Sequence, residues 1–149
     1  LFSPLKKFKV DYSAIPWCTF TNPEIARVGL NEKEAIKQGI SYEVTRYEID
    51  DLDRAITDSE EQGIIKVLTA PGKDHILGAT IMSSDAGNLI TEYVSAMKHG
   101  IGLSKILGTI HTYPTMAEAN KFVAGTWKKN HAPKKLLKLV QKFHAWRRS

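Results

Sequence analysis

Apolar positions along this chain change period several times, and turn residues separate the stretches. "IPWCTFTN", residues 15–22, is β-branched and aromatic and predicts a short strand that stops at Asn22-Pro23-Glu24. "NEKEAIKQG" then offers Asn31 as N-cap, Glu34 at the reciprocal capping position and Gly39 as the stop, which predicts a two-turn helix. In "ISYEVTRYEI" the residues Ile40, Tyr42 and Val44 alternate with polar partners, the period of a half-buried strand. "IDDLDRAITDSEEQG" is acidic without a clear period and reads as an excursion between strands. "GIIKVLTAPGKDHILGATIM" holds two β-rich runs around Pro71-Gly72-Lys73-Asp74 and predicts a hairpin.

Beyond residue 84 the period lengthens. Ala86, Leu89, Ile90, Tyr93, Val94 and Met97 recur at three and four, closed by Gly100, so residues 84–98 predict the chain's best amphipathic helix. A short turn near "LSKIL" leads to "GTIHTYPTMAEANK", where Thr115 and Glu118 fit a capping box opening a helix that runs to about Lys129. His131-Ala132-Pro133 breaks it. A last stretch, "KKLLKLVQKFHAWRR", places Leu136, Leu139, Val140, Phe143 and Trp146 on one side and lysines on the other. Strand, helix, strand, hairpin, then helices is the order of an α+β fold, an antiparallel β-sheet with helices packed mainly on one side.

Composition adds one asymmetry to this picture. The 149 residues carry a net charge of +5, but Lys128 to Ser149 hold six lysines and two arginines with no acid. The remaining 13 basic and 16 acidic residues leave the rest at −3. The tail therefore reads as a basic amphipathic helix, docked on its own domain, lying on a membrane surface, or touching nucleic acid. Its tryptophan and phenylalanine favour the first two, and nucleic acid is the disfavoured partner. A domain spanning 1–128 and a basic helix spanning 129–149 follow.

Several chemistries lack their residues. One cysteine, Cys18, supports neither a disulfide nor a four-ligand zinc site, and the five histidines have no metal-ligand spacing, so no metal is expected. No glycine-rich dinucleotide or phosphate fingerprint occurs. No run of about 18 apolar residues is present and "LFSPLKKFKVDY" lacks a signal-peptide core, so a cytoplasmic location is expected. What draws notice is His111, Tyr113 and Glu118 around the Pro114 turn: an imidazole, a phenol and a carboxylate at a helix start. Glu118 is equally explained as a capping residue, and His111 and Tyr113 as packing groups with satisfied polar atoms.

"PWCTFTNPEIARVGLNEKEA", "GIIKVLTAPGKDHILGATIMSSDAGNLITEYVSAMKHGI" and "HTYPTMAEA" resemble, in this order and spacing, the C-terminal dimerisation domain of the FAD-dependent pyridine nucleotide-disulfide oxidoreductases. Glutathione reductase, lipoamide dehydrogenase and mercuric reductase are members. The likeness covers roughly residues 14 to 125. It implies a fragment, or a detached copy, of a larger enzyme whose FAD- and NAD(P)-binding domains and redox-active cysteine pair lie upstream. It implies a homodimer, no cofactor bound to this segment alone, and no catalysis by it alone. Ala86, Leu89, Ile90 and Tyr93, with the helix after Thr115, are expected to form the apolar seam between subunits.

The family's His-Pro-Thr-x-x-Glu is matched here by Pro114, Thr115 and Glu118, with Tyr113 in the histidine's place. His111 matches a second, upstream histidine of lipoamide dehydrogenase-like members. The resemblance thus assigns Tyr113, Glu118 and His111 to catalysis and His111, Thr112 and Pro114 to the edge of the cofactor site. A phenol with a reference pKa near 10 is a poor base at neutral pH, which argues against ordinary disulfide reduction. Mercuric reductases carry a tyrosine in that slot and resemble "TMAE", yet their C-terminal cysteine pair has no counterpart in "HAWRRS". The alternative is a non-enzymatic interaction domain whose basic C-terminal helix binds membrane or nucleic acid.

Overall fold

The computed structural model describes residues 11–133 together with His144 and Arg147. Of the basic helix predicted over 129–149, Lys129 and Asn130 instead close the helix that begins at Glu118, and residues 134–149 lie outside the described residues apart from His144 and Arg147.

Five antiparallel strands form one sheet in the order β1-β2-β5-β4-β3, with β1 at Pro16–Thr19, β2 at Glu24–Gly29, β3 at Glu43–Glu48, β4 at Ile64–Thr69 and β5 at Ile76–Ser83. The register builds two rows on one face: Tyr47, Ile65, Ile81, Ala26 and Cys18 stand side by side, and Thr45, Val67, Ala79 and Val28 run parallel to them. Helix α3 (Ala86–Lys98) covers this face over β1, β2 and β5, and α5 (Glu118–Asn130) covers it over β3 and β4. Short helices α2 (Asp53–Asp58) and α4 (Leu103–Gly108) complete the layer. Ala55 of α2 and Leu103 and Ile106 of α4 join the same buried cluster.

Helix α1 (Glu32–Lys37) lies on the opposite face. The register sets Arg27, Lys66 and Arg46 on that face, and α1 reaches them with Glu34 to Arg27 at 2.9 Å and Glu32 to Lys66 at 2.6 Å and Arg46 at 3.7 Å. Its start is the predicted capping box: Asn31 Oδ1 accepts from the Glu34 amide at 2.8 Å, and Glu34 Oε2 accepts from the Asn31 amide at 3.2 Å. Leu30 then crosses so close to β5 that a Cβ on Gly78 would run into the Leu30 backbone. Only glycine fits beneath that crossing.

The hairpin and α3 fall where the periodicity predicts, and helices gather mainly on one face of the sheet. Three details differ. The stretch after Asn22-Pro23 continues as β2, which has no visible alternation because small Ala26 takes an inward position while Ile25 is 45% exposed on the other face. In β3 the phase is inverted, with Thr45 and Ile49 buried and Val44 set opposite Leu68 on the outer face. Leu68 is itself fully buried there, so that face also takes up apolar groups and alternation alone does not choose the core side. The acidic excursion folds into α2, anchored by buried Leu52 and Ala55.

The seam expected from Ala86, Leu89, Ile90 and Tyr93 is corrected. All four are buried in the core of a single protomer, where they pack toward the sheet, and so they are not available to a second subunit. Among the described residues no helix is long and apolar enough to cross a membrane.

Candidate functional site

Between α4 and α5 the chain turns outward. From Thr109 to Pro114 every residue is exposed except His111. Tyr113 is 68% exposed, and its hydroxyl donates to Asp53 Oδ2 at 2.8 Å. Asp53 opens α2 immediately after Leu52, whose burial fixes that end of the helix. The loop tip is thereby tied to an element 60 residues upstream. Asp53 accepting from the phenol, reinforced by its charge, holds the Tyr113 pKa above the ordinary phenol value. At neutral pH Tyr113 is a proton or hydrogen-bond donor rather than a base.

Glu118 is nearly buried and turned to the backbone. Its Oε2 accepts from the Thr115 amide at 3.4 Å, one half of the predicted capping box. The other half is not formed, because the Thr115 hydroxyl donates to the Thr112 carbonyl at 2.6 Å, and α5 starts at Glu118 with Ala117 as N-cap. No hydrogen bond joins Tyr113 to Glu118. The glutamate's charge adds only a minor push on the phenol, behind that of Asp53.

His111 faces inward. Its side chain is 6% exposed, with Nε2 3.1 and 3.2 Å from the two carboxylate oxygens of Glu92 and Nδ1 3.1 Å from the Thr109 carbonyl. Glu92 Oε2 also accepts from Asn120 Nδ2 at 2.9 Å, and the same amide nitrogen donates to the Leu89 carbonyl at 3.1 Å. Both ring nitrogens face oxygen acceptors within the domain, so a neutral ring donates to one of them and a protonated ring to both. Thr112 and Pro114 are exposed. Among the described residues no group of three His, Cys, Asp or Glu side chains gathers to hold a metal ion. The Cys18 thiol is pushed up by desolvation and by the Glu24 charge, which disfavours its thiolate.

Sequence reasoning missed Asp53 and Glu92. Glu92 had a signal, since it is the single charge between Ala86 and Met97 of α3. Asp53 had none, one acid among several in "IDDLDRAITD".

The geometry can be set beside known proteins. Residues 15–123 match the family model for the pyridine nucleotide-disulphide oxidoreductase dimerisation domain. The chain belongs to that family. A mitochondrial dihydrolipoyl dehydrogenase of Dictyostelium discoideum is 43% identical over 115 residues, which cover 77% of this chain and 24% of that protein. A mercuric reductase of Streptomyces lividans is 34% identical over 118 residues, covering 79% and 25%. The HOCl-induced flavoprotein disulfide reductase RclA of Escherichia coli shares the fold, with a TM-score of 0.71 at 24% identity over 76% of this chain and 26% of that one. The chain thus spans about a quarter of the length of these relatives. The loop from Thr109 to Glu118 of this dimerisation domain carries one exposed polar side chain, Tyr113, tethered to another element through Asp53.

Proposed function

We infer that this dimerisation domain serves a longer FAD-dependent, NAD(P)H-using oxidoreductase, and that in its homodimer the 109–118 loop lends Tyr113 to the partner subunit's active site. FAD and NAD(P), held by other domains of the longer chain, supply the hydride and electron chemistry when bound. The domain alone is inactive because it carries no dinucleotide fingerprint and no cysteine pair. Its own contribution is a phenol at a set position.

The observation that carries this reading is the Tyr113 to Asp53 hydrogen bond on an otherwise solvent-facing loop. Asp53 keeps the proton on the phenol, and the fixed hydroxyl can donate to negative charge developing on a reacting group. Glu118 supports the turn beneath it through the Thr115 amide. Ile110, 96% exposed next to this site, adds an apolar side chain for a facing surface to cover.

Replacing Tyr113 by Phe in the longer enzyme tests the role. Flavin content should be unchanged and turnover should fall about 10-fold or more, in keeping with the loss of a positioned proton donor. Turnover equal to that of the parent enzyme would remove the tyrosine from the mechanism.

A further inference from the structure

The loop from Thr109 to Pro114 presents one inward-facing side chain, His111, while its neighbours face solvent. Such a segment has no apolar anchor. Besides the Tyr113 to Asp53 bond at its tip, it is held by a polar chain running from the Leu89 carbonyl through Asn120 Nδ2 and Glu92 Oε2 to His111 Nε2, and from His111 Nδ1 back to the loop's own Thr109 carbonyl. Asn120 is 1% exposed and lies on α5, Glu92 lies on α3, and the two helices are held by the sheet. The loop is therefore referenced to the rigid core by side chains distant from Tyr113 in sequence.

We propose that Glu92, oriented by Asn120, is a positioning residue that sets the reach of Tyr113 by clamping His111. The functional consequence rests on the reading that Tyr113 is the working side chain of the loop. The clamp itself does not. Removing the carboxylate frees His111, lets the tip of the loop wander, and breaks the alignment of the Tyr113 hydroxyl with Asp53. A group acting only in helix stability would leave that alignment as it is.

The test uses the 149-residue chain with 13C-labelled tyrosine and 15N-labelled histidine, read by NMR. In the parent chain the Tyr113 ring carbon should titrate above free tyrosine, because its hydroxyl donates to Asp53 Oδ2. In Glu92→Ala the titration should fall back toward free tyrosine and the His111 ring signals should shift, while the amides of α3 keep their protection. Glu92→Gln, whose amide oxygen still accepts from His111 Nε2, should restore most of the displacement. Asp53→Asn should lower the Tyr113 titration and leave the His111 signals in place, which shows that the readout reports the tyrosine's partner. An unchanged Tyr113 titration in Glu92→Ala would overturn the proposal. Should Glu92→Ala not fold, His111→Ala must lower the Tyr113 titration in the same way, and an unchanged value there overturns the proposal equally. None of these readings needs turnover, so an inert Tyr113→Phe in the longer enzyme would dismiss the functional reading and leave the clamp standing.

Discussion

Substituting Asn120 by Asp changes one atom pair in the buried polar chain and has a calculable consequence. Asn120 Nδ2 donates to Glu92 Oε2 at 2.9 Å and to the Leu89 carbonyl at 3.1 Å. An aspartate has no N–H to give either acceptor. At pH 7 the new carboxylate would face Glu92 at a separation that can open to about 4 Å, where like charges at an effective dielectric near 20 repel by about 4 kcal/mol. The escape is to protonate one carboxyl. From a reference pKa near 3.9 that costs about 4 kcal/mol at pH 7. Both routes give the same figure, and with about 1 kcal/mol for the exchanged hydrogen bond the variant should lose about 5 kcal/mol at pH 7. At pH 4 protonation is nearly free and the new hydroxyl can donate to Glu92, so the loss should shrink to about 1 kcal/mol, the scale of one exchanged hydrogen bond. Urea unfolding of parent and variant at both pH values measures the difference. An equal loss at pH 7 and pH 4 would refute the argument, because it would show that the new group does not meet Glu92.

Two further outcomes follow from contacts elsewhere. The His131 pKa is raised chiefly because its ring bonds the Trp127 carbonyl at 2.9 Å, with Glu43 at 2.8 Å adding to it. A folded value above the unfolded one near 6.5 means that this stabilisation is fully present below pH 6.5 and is lost as pH rises through the folded value. The stability difference between the parent chain and His131→Asn should therefore be larger at pH 6 than at pH 9, and a flat difference in urea titrations counts against the clasp. Gly78→Ala forces a Cβ into the Leu30 backbone and should cost about 3 kcal/mol, whereas Gly39→Ala, at φ +66 with open space around it, should cost only about 1 kcal/mol of backbone strain. Thermal unfolding ranks the two, and a reversed order would mean that Leu30 does not cross β5 as described.

The elements most readable from sequence were those whose signals are local. Asn31 and Glu34 lie three residues apart and form the box they predict, and the Pro71-Gly72 turn sits between runs that pair directly. Elements decided by distant neighbours were less readable. β2 carries its inward positions on Ala26 and Val28, and its outward isoleucine conceals the alternation. β3 shows a clear period whose phase depends on which face is covered. The site divides along the same line. Tyr113, Glu118 and His111 were visible together on one loop, but their partners were not, because Asp53 approaches from α2 and Glu92 from α3. The proposed Tyr113 and Glu118 pair is thus two separate contacts in space, a phenol on Asp53 and a carboxylate on the Thr115 amide. The apolar stripe of α3 points to the wrong partner for a related reason: it identifies a face to be covered, and here the sheet of the same protomer covers it.

Whether the 109–118 loop works across the dimer is read from mixed subunits of the longer enzyme. One subunit would carry Tyr113→Phe with its cysteine pair intact, and the other would keep Tyr113 and lack the cysteine pair that the family resemblance implies. If Tyr113 serves the partner's site, the mixed dimer rebuilds one complete site and recovers about half of the parent's NAD(P)H-dependent turnover per dimer, by the composition of a two-fold assembly. If turnover of the mixed dimer stays at the level of the two parental variants, the tyrosine does not act in trans and its proposed role is contradicted.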